Sequence, residues 1–408
     1  MGNQFKSEVA TLAKKSSLQP QEALLRHKPK SQSLFIGIPK EIAMVENRVA
    51  LTPEAVALLV NNGHQVWVEN NAGKTSKFSD REYSEAGAKI VYSAKEVFEA
   101  DIVLKVEPPT FEEIEYFKPG RTLISALQMG SKTEEYIHAL NRKKLTAVAF
   151  ELLEDKVGGM PVVRAMSEIA GSTVMLIAAE YLSSANDGKG VILGGVTGVP
   201  PTKVVILGAG TVAEYAARAA LGLGAEIQIF DNHIYKLRRI KHALGQQVYT
   251  SSIDNVTLRH SLKNADVVIG AIRAEKGRSR CIVTEEMVAE MQEDSIIIDV
   301  SIDQGGCFET SEMTTQLKPT YRRHGVIHYC VPNIPSRVAR TATTAISNIF
   351  TPVLLQIANA GGVEDMIFTT KWFTKGVYTY KGSLTNANIA NKFNLKYKDL
   401  TLLLAARF

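Results

Sequence analysis

One run of 29 residues, KVVILGAGTVAEYAARAALGLGAEIQIFD, constrains this chain more than any other. It reads as a buried strand (KVVIL), a turn at Gly208-Ala209-Gly210, an Ala-rich helix and a second strand (EIQIF) closed by Asp231. A Gly-x-Gly triplet alone occurs in many turns. In this order it meets the demands of a dinucleotide-binding βαβ unit: Gly208 makes the tight turn, Gly210 lets the backbone approach a pyrophosphate, and the helix N-terminus supplies amide donors and partial positive charge. Ala213 takes the third small position, where close helix–strand packing is the requirement. Asp231 follows Gly210 by 21 residues. An acid there receives the adenosine ribose hydroxyls and repels a 2′-phosphate, which favours NAD over NADP; the nearby Lys236, Arg238 and Arg239 leave a phosphate-accommodating reading open.

The rest of the chain repeats the alternation. LFIGIPKE, QVWVEN, AKIVYS, DIVLKVEPP, RTLISALQ and LTAVAFELL carry the apolar, β-branched character of buried strands, and DVVIGAIR and SIIIDVSID continue the series after the glycine turn. Between the strands, TPEAVALLVNNGH reads as a helix capped by Thr52, with Pro53 at its first position and a stop at Gly63. Strands alternating with helices predict parallel sheets covered on both faces, an α/β protein. MSEIAGSTVMLIAAEYLSS reads as a helix connecting two such blocks. TATTAISNIFTPVLLQIANAGG reads as a second long helix, interrupted at Pro352 and stopped by Gly361 and Gly362, that returns the chain to the first block. At 408 residues two domains are expected. The boundaries fall at 34–161 with 340–408 for a discontinuous substrate domain and at 162–339 for the NAD-binding domain, after an arm over 1–33.

Charge excludes some functions. The net charge is +5, but the arm holds six Lys/Arg against two acids, leaving 41 basic and 40 acidic residues in the remainder. A neutral body offers no case for nucleic-acid binding. No apolar run of 18 residues lacks charges, so no membrane span is expected. The expectation is a cytoplasmic protein with a solvated basic arm, although the arm's spaced bases and serines also fit an organelle-targeting segment. Cys281, Cys307 and Cys330 are too few and too irregular for a disulfide framework or a four-ligand zinc site, and buried reduced thiols are expected.

Ligands of doubly wound sheets bind at the carboxyl ends of strands, and four polar residues stand near such ends. Arg48 precedes the first helix, Lys105 ends DIVLKV, Gln128 ends RTLISALQ, and Asp303 follows SIIIDVS. Arg48 and Lys105 could grip a carboxylate, and Asp303 could handle a proton or an ammonium group. Each has a plainer reading: Arg48 has Glu46 within reach as an ion-pair partner, and Asp303 could cap the turn before Gly305 and Gly306. Lys105 interrupts an apolar strand, and a buried ammonium is costly without a partner.

Taken together, GIPKE, ENRVALTP, VLKVEPP, MSEIAG, VILGAGTV, DVSIDQGGCFE and HYCVPNIPSRVARTATTAISN resemble the alanine dehydrogenase family and the related soluble domain of transhydrogenase alpha subunits. The resemblance runs from about Leu34 to the C-terminus. It implies two doubly wound Rossmann-like domains joined by long helices, a homohexamer, and the reversible conversion of L-alanine, NAD and water to pyruvate, ammonium and NADH. It also implies roles. Arg48 and Lys105 would hold the substrate carboxylate and carbonyl, and Asp303 would act beside the nicotinamide. Ser167, Gly208, Gly210, Thr211, Val212, Asp231, Lys236 and Ser252 would bind the cofactor, with Val300, Ser301, Ile302, Asp303, Val331, Pro332, Asn333 and Ile334 approaching its nicotinamide.

Two departures stand out. Where the family usually carries a His as proton donor and acceptor, this chain has Gln128, whose carboxamide does not titrate near neutrality. Three readings are open: Gln128 positions the substrate while Asp303 moves the proton through water, the substrate is another small amino or 2-oxo acid, or catalysis is impaired. The second departure is RAEKGRSR after DVVIGAI, in place of an apolar loop at the cofactor cleft. A partner-dependent transhydrogenase-like nucleotide module and a non-catalytic nucleotide sensor are the competing functions.

Overall fold

Short runs of β-branched and aliphatic residues become strands buried on both faces when helices cover the sheet. The computed structural model, which describes residues 31–405 apart from 44, 156 and 274–280, contains two such sheets. In the first, β1 (Phe35–Ile38), β2 (Gln65–Glu69), β3 (Lys89–Val91), β4 (Ile102–Leu104), β5 (Thr122–Ser125) and β6 (Thr146–Ala149) run parallel in the order β3-β2-β1-β4-β5-β6. The second holds β7 (Lys203–Leu207), β8 (Glu226–Phe230), β9 (Tyr249–Ser251), β10 (Val267–Gly270), β11 (Ile296–Asp299), β12 (Thr320–Arg323) and β13 (Val326–Tyr329). Its order is β9-β8-β7-β10-β11-β13, parallel, with β12 antiparallel at the edge. Then β14 (Val377–Tyr380) and β15 (Ser383–Leu384) return to the first sheet and extend it antiparallel beyond β6.

Both sheets therefore have the doubly wound Rossmann order, whose direction of winding reverses between β1 and β4 in one and between β7 and β10 in the other. The strand segments quoted from the sequence all appear. The strands not predicted from it, β9, β12, β13, β14 and β15, include edge strands with exposed positions, where the pattern of a doubly buried strand is absent.

Two 22-residue helices join the sheets, Pro161–Leu182 and Ala339–Ala360. The first contacts Thr211–Gly222 at Gly171, where a Cβ would stand 2.4 Å from the Val212 carbonyl oxygen, so MSEIAG carries a packing requirement. Among the described residues it is the one helix long and apolar enough to cross a membrane by length and composition; here much of it is buried between protein layers. The second helix corrects an expectation, because it continues through Pro352. Pro352 and Asn348, whose carbonyl loses the helical N–H partner, both lie on the exposed face, where that carbonyl is open to solvent rather than stranded in the core. Gly361 ends the helix in the left-handed region (φ 95°), as its sequence suggests.

Thr52 caps the Pro53–Asn61 helix, accepting a hydrogen bond from the Ala55 N–H. No disulfide joins the three cysteines; Cys307 and Cys330 are buried, whereas Cys281 is exposed, contrary to the expectation for it. The arm over 1–30 and most of RAEKGRSR, residues 274–280, lie outside the described residues.

Candidate active site

A cleft of about 630 Å³ opens between the two sheets, a size that holds a small-molecule ligand. Its walls come from loops that leave the carboxyl ends of strands in both sheets. The loop over 45–48 is tied to the second half of the chain. Asn333 Nδ2 donates to Glu46 Oε2 (2.9 Å), Ser336 Oγ donates to the Val45 carbonyl (2.7 Å), and Asn47 N–H donates to Ser336 Oγ (2.8 Å). Thr343 on the return helix then accepts the Val49 N–H. Residues about 290 positions apart in sequence thereby hold Arg48 at the cleft wall.

Arg48 is buried and donates through Nε and Nη2 to both Glu46 oxygens, at 2.7 and 2.5 Å. Nη1 meets Met166 Sδ at 3.2 Å. A guanidinium has five N–H donors, so two remain for a ligand's carboxylate. Burial alone would raise the Glu46 pKa, but Arg48 outweighs it and holds the carboxylate below its ordinary range. Glu107 stands 4.0 Å from Arg48 Nη2 and also lines the cleft. Lys105 is fully buried but is not among the cleft-lining residues. It pairs with Glu41 (2.7 Å) and Glu113 (3.5 Å), the partners that burial of an ammonium demands. Burial drives the Glu41 carboxyl up to about 7 against the pull of Lys105. Glu41 also accepts the backbone N–H groups of Val106 and Glu107, fixing the turn after β4.

Gln128 faces the cleft in the left-handed region (φ 45°), and its backbone N–H donates to Glu151 Oε1 at 2.8 Å. Across the cleft stand Val300, Ser301 and Asp303, with Val331, Pro332, Asn333 and Ile334. Asp303 lies in the short 3₁₀ turn Ile302–Gln304, and its side chain caps nothing there. Asp299 supplies the caps instead, accepting from the N–H groups of Ser301 and Cys307 (both 3.0 Å) and from Ser311 Oγ (2.6 Å). Asp303 is left exposed at the cleft mouth, its pKa raised by the surrounding protein and then by Asp299. Ile302 is buried beneath it.

The glycine turn fits a pyrophosphate. Gly208 has φ 106°, and a Cβ there would stand 2.5 Å from the Ala271 carbonyl. Nothing lies within 4 Å of a Cβ position on Gly210, and the Thr211–Gly222 helix that it caps has no side-chain cap, so its first N–H groups are available to an anion. Asp231 Oδ2 accepts the Ala209 N–H (2.8 Å), while Arg239 donates to the Ala209 carbonyl (2.8 Å), clamping the turn from both sides. Asp231 Oδ1 accepts the His233 N–H. Of the residues expected along the adenosine side, Val212 lines the cleft, as does Ser167. Thr211, Asp231, Lys236 and Ser252 surround the turn and the ends of β8 and β9 outside it.

The chain matches the family described as Alanine dehydrogenase/PNT, with its N-terminal domain over residues 37–170 and its C-terminal domain over 174–387. It belongs to that family. Alanine dehydrogenase 2 of Staphylococcus aureus (strain USA300) is 40% identical over 366 residues, which is 90% of this chain and 98% of that protein. Among family structures, an L-alanine dehydrogenase aligns with a TM-score of 0.83 at 37% identity, covering 88% of this chain and 99% of its own. A transhydrogenase from Sinorhizobium meliloti aligns at 0.74 and 25% identity, covering 86% and 99%. The doubly wound architecture of the family is thus the architecture seen here.

Several cleft residues of this family member escaped sequence reasoning: Glu107, Glu151, Met166 and Arg273; Glu46 is the ion-pair partner of Arg48 that the sequence offers, and the pair is buried. Glu107 and Glu151 carried a signal, since each is a charged residue within three positions of a buried strand's carboxyl end. Met166 and Arg273 carried none beyond neighbouring Ser167 and the unusual loop.

Proposed function

We propose that this protein catalyses the reversible oxidative deamination of L-alanine to pyruvate and ammonium with NAD. The observation that carries the reading is the single cleft that faces Arg48 and Gln128 of the first sheet with Asp303 of the second, beside a glycine turn suited to a dinucleotide. NAD, held by Gly208, Gly210 and the N-terminus of the Thr211–Gly222 helix, would supply the hydride acceptor. Asp231 places a negative charge at the end of β8, which disfavours a 2′-phosphate.

The chain's own residues do the remaining work. Arg48 directs its two unused N–H donors at the substrate carboxylate, a fork that a carboxylate matches. The family resemblance gives Lys105 the substrate carbonyl oxygen to polarise, a role its ammonium, buried off the cleft, takes only by exchanging Glu41 for that oxygen. Protonation of Glu41, whose carboxyl is pushed up to about 7, loosens that hold. Gln128 can donate and accept hydrogen bonds and so orients the substrate without titrating. Asp303 contributes an unspent carboxylate where an ammonium group would leave. Cytoplasmic location and assembly as a homohexamer belong to the same reading.

The test is a steady-state screen of small L-amino acids with NAD at alkaline pH, and of 2-oxo acids with ammonium and NADH or NADPH. L-alanine and pyruvate should lead. Asp303→Asn should lower kcat by roughly 10²-fold or more while NADH binding persists. A protein that binds NADH yet reduces no NAD with any small L-amino acid would end this reading.

A further inference from the structure

A deamination exchanges a C–N for a C–O bond, so some group in the cleft must take a proton from water and return it. Gln128 does not titrate, and among the described residues no histidine lines the cleft. The carboxyl groups that do, among the described residues, are Glu107, Glu151 and Asp303. Glu151 commits one oxygen to the Gln128 backbone N–H, and its other oxygen is buried away from solvent. It positions Gln128. Asp303 lies on the far wall, at the exposed mouth. Glu107 lies at the switch point between β1 and β4 with 24% of its side chain exposed, 4.0 Å from Arg48 Nη2, the guanidinium that would hold the substrate carboxylate. Its backbone is anchored by Glu41.

We propose that Glu107 is the acid–base catalyst of this cleft, accepting the proton of the attacking water and delivering it to the departing nitrogen. The proposal rests on the deaminase reading above. Once hydride has left Cα, water adds to the iminium carbon: the C–O bond forms, the C=N π pair moves onto nitrogen, and a water O–H bond breaks with its proton going to Glu107. In the second half Glu107 protonates the amino nitrogen. The C–N bond then breaks, the hydroxyl O–H pair becomes the carbonyl π bond, and the hydroxyl proton passes through Glu107 to ammonia, which leaves as ammonium.

The surroundings suit the task. Glu46 and Arg48 face Glu107 from the loop before the first helix, Glu41 from the loop after β1, and Lys132 from beyond β5. Burial first, and then Glu46, push the Glu107 carboxyl up to about 7 against the pull of Arg48, so both protonation states are populated near neutrality.

The experiment compares pH profiles of kcat and kcat/KM for L-alanine in wild type, Glu107→Gln, Glu107→Asp and the double variant Glu107→Gln/Gln128→His, each with NADH affinity and thermal unfolding measured alongside. Wild type should show an ionisation near 7 that must be deprotonated for deamination. Glu107→Gln should lose that limb and about 10²–10⁴-fold in kcat, with NADH affinity and unfolding temperature near wild type. Glu107→Asp should keep the limb at reduced rate. The double variant should regain about tenfold or more, with a limb near the ordinary imidazole pKa of roughly 6.5. If Glu107→Gln turns over alanine with an unchanged profile, Glu107 is not the catalyst and the deaminase reading stands. If wild type makes no NADH from any small L-amino acid, both fall together.

Discussion

The two sheets share one topology and build their halves of the cleft from opposite materials. At the β7/β10 switch point the site is made of backbone: a glycine turn, an uncapped helix N-terminus, and an Asp231 spent on holding the turn. At the β1/β4 switch point it is made of charged side chains, with Arg48 and Glu107 lining the cleft and Lys105 buried off it between Glu41 and Glu113. The difference teaches what each half can recognise. Amides fixed by backbone geometry suit a pyrophosphate that every dinucleotide carries. A buried ionic cluster suits a small zwitterion, because a carboxylate and an amine can exchange with groups already paired.

The sharpest way to break the comparison is Lys105→Met, which leaves Glu41 and Glu113 buried without their cation. Stability should fall by about 3–5 kcal/mol at pH 8, measured by chemical denaturation. The sign with pH follows from Glu41. Its folded pKa is already up at about 7 and rises further without Lys105, so the folded variant keeps a proton that the folded wild type releases, and the deficit grows as pH rises above about 7. A deficit independent of pH would show that charge is not what the first half depends on.

Gly208→Ala attacks the backbone half. The φ of 106° and the 2.5 Å approach to the Ala271 carbonyl leave no room for a methyl group, and conformational strain alone costs roughly 1–3 kcal/mol. NADH affinity by fluorescence titration should weaken about tenfold or more. The smallest expected effect is from Asp231→Asn, which keeps the shape and removes the charge on the Ala209 and His233 amides, a loss of about 1 kcal/mol. The Ala209 amide should exchange hydrogen faster, and the preference for NADH over NADPH should narrow. An unchanged preference would separate turn support from cofactor discrimination.

How much was legible depended on whether the signal was local. The KVVIL strand, the Gly208–Gly210 turn and the Thr52 cap are written within a few residues, because hydrophobic period, positive φ and capping hydrogen bonds act at short range. So the strand segments quoted from the sequence appear where it places them, and Gly208 has the φ that its turn requires. Pro352 misled because a proline's cost depends on whether water reaches the freed carbonyl, which is decided by the face the helix turns outward. Lys105 was read correctly as a buried ammonium in need of a partner, but Glu41 and Glu113 lie 64 and 8 positions away and nothing local names them.

By itself, the sequence determined that this chain is a doubly wound α/β protein with a dinucleotide turn, and its motifs placed it beside alanine dehydrogenases. Only the tertiary structure decided which charges face the cleft. It turned Glu107 into the site beside Arg48, gave the turn-capping role to Asp299 and left Asp303 unspent. The reason is physical: the ionic partners and burial that set a carboxylate's proton affinity come from residues brought together across the fold, and they have no fixed spacing along the chain.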